Sequence, residues 1–325
     1  MNSTNNASSD SSDQLIISRV KATTNLIAFI TTTTFMCLIV QTVWQHLDLR
    51  KEIRHMLLCH HLICIAVYFG LGFLFYGIRT LKLNAPVLLC WITFAVQTAF
   101  GRGILLTLTL MAVNTCITIC WPLRYLSFVH AVGRKVMALL WFLAVINPIW
   151  STIYELQESH PGYVYERDPS CPTSLGRLAP RIGGGIFIFT LVIIIGLSYC
   201  FIYREGKQSG HFNHSNIRAR RTILIHTLQL SFHIIPVFIL IVARKRLSPT
   251  SEIASYIIFS VAQSLSPVIY GFRCKEIRNK MKWMDSNSCL YSKMERTSFA
   301  MSRLNQSVAS VINDDHLNSS SASAP

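Results

Sequence analysis

Residues 90–125, CWITFAVQTAFGRGILLTLTLMAVNTCITICWPLRY, carry a single charge before Arg124, and that charge, Arg102, stands near the middle. The run is too long and too apolar to be a helix of a water-soluble domain. Twenty-four residue steps separate Cys90 from Asn114. As an α-helix they rise about 36 Å, enough to cross a hydrocarbon layer about 30 Å thick. Cys90 and Asn114 then lie near opposite faces of a bilayer, with Arg102 at its midplane.

The rest of the chain repeats the pattern. Apolar stretches recur at 25–46, 55–78, 87–120, 135–154, 182–203, 222–243 and 252–272. Hydrophobic residues make up 51% of the chain and charged residues 14%, against about 25% charge in soluble domains. The predicted fold is an all-α membrane protein, a seven-helix bundle. The first stretch holds a run of four threonines, which is tolerable in lipid if the hydroxyls bond their own helix carbonyls. A net charge of +15 on a soluble chain would suggest a nucleic-acid partner. Here the basic residues cluster beside apolar runs, and no zinc-finger or RNA-binding signature accompanies them, so the charge sets orientation in a membrane.

Seven crossings put the termini on opposite sides. Nineteen Lys and Arg then fall in the odd connections and the C-terminal segment, and ten on the other side. The excess marks the cytoplasmic face, so the N-terminus is expected outside. Residues 1–24 are polar, with no apolar core of a secretory signal. They are expected to form a disordered extracellular head, glycosylated at the sequons on Asn2 and Asn6. Beyond the bundle at 25–272, residues 273–284 suit a short basic amphipathic helix on the inner leaflet. Residues 285–325 are Ser- and Asn-rich and read as a disordered cytoplasmic tail.

Several motifs then fall into register. Met111-Ala112-Val113-Asn114-Thr115-Cys116 and Ile119-Cys120-Trp121-Pro122-Leu123-Arg124-Tyr125 resemble the third-helix end of rhodopsin-like G-protein-coupled receptors. Ser266-Pro267-Val268-Ile269-Tyr270 resembles their seventh-helix Asn-Pro-x-x-Tyr motif, Trp141 their fourth-helix tryptophan and Pro236 their sixth-helix proline. Within that family, the strings around Leu123, Trp141 and Arg220 are similar to an orphan branch. The fish odorant-receptor group shares the style of the Pro-Leu-Arg-Tyr segment. The resemblance implies a plasma-membrane receptor with an extracellular ligand and a heterotrimeric G protein as partners, and no cofactor. Pro236, Pro267 and Tyr270 are the implied switch residues.

In this topology only Cys90 and Cys171, of ten cysteines, fall outside the cell. Two thiols alone in an oxidising compartment are expected to pair and pin the long fourth-to-fifth connection over the bundle mouth. The alternative is two free thiols.

The departures from the family carry their own message. Its Asp-Arg-Tyr triplet is replaced here by Asn114-Thr115-Cys116, and a threonine hydroxyl offers neither charge nor a bidentate fork. Two readings follow. Either the resting state is loosely restrained, with Arg124, Arg218, Arg220 and Arg221 contacting the G protein, or the chain couples poorly and acts as a membrane scaffold. No Asp or Glu occurs between Glu52 and Glu155, so the family's sodium-binding acid is missing. Amine receptors carry an Asp where this chain has Gln97, so a cationic amine lacks a buried counter-ion there.

Arg102 costs at least about 2.5–3.5 kcal/mol in a membrane unless it finds acceptors. It is expected either to receive an anionic or carbonyl-rich ligand group, or to be satisfied by carbonyls, hydroxyls and water in room opened by Gly101 and Gly103. The expected ligand pocket is lined by Gln97, Gly101, Arg102 and His233. His60, His61, His226 and His233 read as core polar residues rather than metal ligands, and no catalytic constellation is expected.

Overall fold

The structure is a computed structural model. It describes residues 2–160, 162–173, 178–208 and 248–273, with Ser231, 234–236, Ile239, Ile277 and Lys280. The chain divides into two compact units, Met1–Gly271 and Phe272–Pro325. The first unit is built from α1 (Asn2–Gln45), α2 (Leu47–Lys51), α3 (Ile53–Thr80), α4 (Val87–Cys120), α5 (Pro122–Glu158), α6 (Leu178–Gln208) and nearly all of α7 (Pro249–Arg273). Of the second unit, the expected surface helix at 273–284 and the tail at 285–325 lie outside the described residues, apart from Arg273, Ile277 and Lys280.

Among the described residues, five helices are long and apolar enough to cross a membrane: Asp13–Gln45, Ile53–Thr80, Val87–Cys120, Lys135–Glu158 and Ile182–Glu205. They correspond to the first five expected spans. α7 occupies the seventh, and carries Ser251, Glu252, Ser255, Gln263, Ser264 and Ser266 along its length. The sixth, at 222–243, lies outside the described residues except for Ser231, 234–236 and Ile239. α2 is only a short helical turn joining the first two spans.

The first span is corrected. In place of a disordered head, α1 is already helical from Asn2. Ile17, Ser18, Lys21 and Ala22 are buried in the bundle, Ser18 Oγ donates to Gln14 O at 2.8 Å, and Lys21 pairs with Glu252 of α7. Tertiary partners hold a stretch whose composition alone reads as coil. Within the threonine run, Thr31, Thr32 and Thr34 donate to the carbonyls of Ile27, Ala28 and Ile30, while Thr33 Oγ1 is buried without a partner.

α4 is the hub, packing against α3, α5 and α6, while α3 also packs against α1. α4 and α5 are separate helices because Pro122 has no N–H to continue the ladder; Trp121 closes α4 by donating to Ile117 O at 2.9 Å. α5 and α6 turn large apolar side chains outward: Phe142, Ile149, Trp150, Ile186, Phe189 and Phe201 are all about half exposed or more. Apolar faces this broad belong in lipid rather than water.

Candidate ligand-binding core

The bundle's disulfide end is closed by the connection between α5 and α6. Cys90, in the first turn of α4, is bonded to Cys171, with Cα atoms 5.5 Å apart. Both sulfurs are fully buried in a cluster with Phe75, Ile78 and Ala85. The expected pairing is therefore present. Two further ties hold the same connection. Ala85–Pro86 pairs antiparallel with Arg167–Asp168, and Val164 packs on Val87 and Trp91. Gly162 has φ +95, a conformation that favours glycine, and it starts the 3₁₀ turn Tyr163–Tyr165. Burial, and then the carboxylates of Asp168, Glu166 and Glu155, raise the Tyr163 phenol above its ordinary pKa.

The residues expected to line one pocket are divided between two faces of α4. Gln97 is buried and points toward α1 and α3. Its Nε2 would lie 2.6 Å from a Cβ placed on Gly72, and Asn25 Oδ1 at 2.7 Å. Gly101, one turn on, faces the Tyr68 ring, and Gly103 faces the Cys64 sulfur. Both glycines lie close against α3. Arg102 is also buried, at 8% exposure, but it turns toward α6, where its guanidinium lies 4.3 Å from the Phe187 ring centroid. Further along this side, Leu105 and Thr109 of α4 border an apolar cleft with Ile188, Leu191, Ile195 and Ile234. His233 lies outside the described residues. Pro236 is helical and buried.

Sequence reasoning missed the polar residues that α7 and α1 bring to the Gln97 face. Tyr256 Oη donates to Asn25 Oδ1 at 2.8 Å. Asn25 Nδ2 donates to Lys21 O at 2.7 Å. Gln263 is fully buried, and neither of its amide atoms has a partner among the described residues; the same is true of Gln97 Oε1.

His61 is a core polar residue joining three helices. Its Nδ1 lies 2.8 Å from Thr107 Oγ1 and its Nε2 3.3 Å from Ser266 Oγ. Thr107 directs its own proton to the carbonyl of Gly103 or Ile104. The tautomer that fits protonates Nδ1, which donates to Thr107, while Ser266 donates to Nε2. Ser266 stands directly before Pro267, so the α7 proline motif is tied to α3 and α4. His60 instead meets the Trp141 ring edge-on at 5.5 Å.

At the far end of α4, Thr115 spends its hydroxyl on Met111 O at 2.8 Å, and Cys116 Sγ lies 3.9 Å from Cys120 Sγ. Asn114 is half-buried on the same turn. Arg124 falls in the first turn of α5, and Tyr270 lies in the last turns of α7. Arg218, Arg220 and Arg221 lie outside the described residues. Asn2 and Asn6 fall in the opening turns of α1.

Residues 83–270 match the family model described as 7 transmembrane receptor (rhodopsin family). The chain is similar to "Probable G-protein coupled receptor 148" of Homo sapiens, 26% identical over 61% of this chain and 59% of that protein. It is also similar to "Olfactory receptor-like protein COR2" of Gallus gallus, 28% identical over 56% of this chain and 63% of that protein. "Olfactory receptor 56A3" of Homo sapiens is 26% identical over 77% of this chain and 85% of that protein. The chain thus spans about three fifths of the length of the first two relatives.

Proposed function

The chain belongs to the rhodopsin family of seven-transmembrane receptors, and on that premise we propose that it receives an extracellular ligand and signals across the plasma membrane to a heterotrimeric G protein. In this reading the start of α1 and the disulfide-pinned connection face outside, with Asn2 and Asn6 glycosylated, and residues 273–325 lie inside. Ligand shifts a two-state bundle, with the sixth span hinged at Pro236 and α7 moving at Pro267 and Tyr270. It can do so only through its different affinity for the two states.

The observation that carries the ligand reading is Arg102. Its guanidinium is buried on α4 against the face of Phe187, with no hydrogen-bond or carboxylate partner among the described residues. A ring face offsets part of the cost of a buried cation, but leaves its donors available to an anionic or carbonyl-rich ligand group. The proposed ligand contacts are Arg102 and His233; Gln97 and Gly101, turned toward α1 and α3, stand apart from Arg102. The cytoplasmic site consists of Asn114, Thr115 and Cys116 with Arg124, Arg218, Arg220 and Arg221. The internal bond of Thr115 supports a loosely restrained resting state.

The test is agonist-independent activation across G-protein classes, repeated with Arg124 and Arg218 replaced, together with ligand binding by Arg102→Gln. The proposal expects basal signal that falls in the arginine variants, and loss of an acidic ligand's binding in Arg102→Gln. Normal surface expression with no signal in any class favours the scaffold reading. The similarity to proteins named as olfactory receptors favours chemosensory ligands, which an odorant-acid panel tests directly.

A further inference from the structure

Near the disulfide end, α1, α3 and α7 meet around one cation. Lys21 Nζ lies 2.5 Å from Glu252 Oε1. The same ammonium stands 5.5 Å from the Tyr76 ring centroid and 5.3 Å from that of Tyr256. The lysine side chain is 10% exposed and the glutamate 28%, so the carboxylate side is the open one. A carboxylate and two aromatic faces converging on one point recognise an ammonium: the carboxylate takes its charge and a proton, and the ring quadrupoles take the rest.

The aromatic part of the cage is held independently of the Lys21 ammonium. Tyr256 is held by its hydrogen bond to Asn25 and by an edge contact with Tyr76 at 6.2 Å. Asn25 in turn is anchored to the α1 backbone. The two rings are therefore held by each other and by Asn25, which lowers the ordering cost of a second occupant.

We propose that Glu252, Tyr76 and Tyr256 form a recognition site for a primary alkylammonium group, occupied in this conformation by the chain's own Lys21. A free amine enters when Lys21 is removed or withdrawn. This site is separate from Arg102, whose charge calls for the opposite kind of ligand. It also supplies, from α7, the carboxylate that Gln97 does not offer on α4. Because Glu252 and Tyr256 both ride on α7, the occupant ties that helix to α1 and α3.

The test uses the full chain in detergent, thermal unfolding followed by tryptophan fluorescence, and n-butylamine as probe, with n-butanol as its neutral counterpart. Lys21→Ala removes three methylenes and the ammonium, and leaves an unpaired carboxylate. Its unfolding midpoint is expected to rise by about 3 °C with butylamine at ten times its dissociation constant, and not with butanol. The wild type and the Lys21→Ala/Glu252→Gln double variant should not respond. No amine-specific rise in Lys21→Ala, or an equal rise in the double variant, overturns the proposal. Should Lys21→Ala fail to give a monodisperse protein, the readout becomes surface expression with butylamine in the medium. Rescue of Lys21→Ala but not of the double variant upholds the cage, and absence of rescue overturns it.

Discussion

Gly72→Ala sets two effects against each other, and the geometry decides which wins. Gly72 lies inside α3, where alanine is ordinarily better by about 1 kcal/mol. The added methyl would sit 2.6 Å from Gln97 Nε2, 2.7 Å from Asn25 Oδ1 and 2.9 Å from Asn25 Cγ. Asn25 cannot simply swing away, because its amide donates to Lys21 O and accepts from Tyr256. Overpacking at such a site costs about 1–3 kcal/mol, and losing the Tyr256 hydrogen bond adds about 1 kcal/mol. The net effect is a destabilisation of about 1–3 kcal/mol, or several degrees in Tm. Gly77 and Gly196 are the controls, since a methyl at either meets nothing within 4 Å. Alanine at these two positions should be neutral or stabilising by up to about 1 kcal/mol. Thermal unfolding of the three detergent-solubilised variants checks the set. A Gly72→Ala protein as stable as wild type, or equal losses at Gly77 and Gly196, would refute this account of how α1, α3 and α4 pack.

The Cys90–Cys171 bridge closes a sequence separation of 81 residues, for which chain-entropy arguments give up to about 4.5 kcal/mol. Any helix that α4 and α5 retain after unfolding lowers that figure. Cys90→Ser/Cys171→Ser should melt well below wild type and become indifferent to reductant, while wild type loses stability on reduction; a wild type unmoved by complete reduction contradicts the role assigned to the bridge. His61→Ala removes a fully buried ring that joins Thr107 and Ser266, and is expected to cost about 2–4 kcal/mol in thermal unfolding. His61→Asn, which can keep one of the two bonds, should recover part of it, and no difference from wild type in either variant would remove His61 from the core network.

The first five spans were legible because hydropathy over a bilayer's length is a strong signal, and charge asymmetry led to the cysteine pair. The beginning of α1 was not, since Lys21 meets Glu252 and Tyr256, which lie far along the chain. The division of the pocket was within reach. Five residues at about 100° each place Gln97 and Arg102 about 140° apart on α4, whereas Gly101 shares the Gln97 face. What the spacing could not supply was Phe187 as the partner of Arg102, a choice made by packing between α4 and α6. The α7 layer was missed because the sequence does not say that Ser260, Gln263 and Ser266 point inward.

The central claim is a chain that crosses the membrane seven times and presents its disulfide end to the outside. Epitope tags on the two termini, stained in intact and then permeabilised cells, test it most directly. The account predicts that the N-terminal tag is reached in intact cells and the C-terminal tag only after permeabilisation. Both tags on the same face would contradict it.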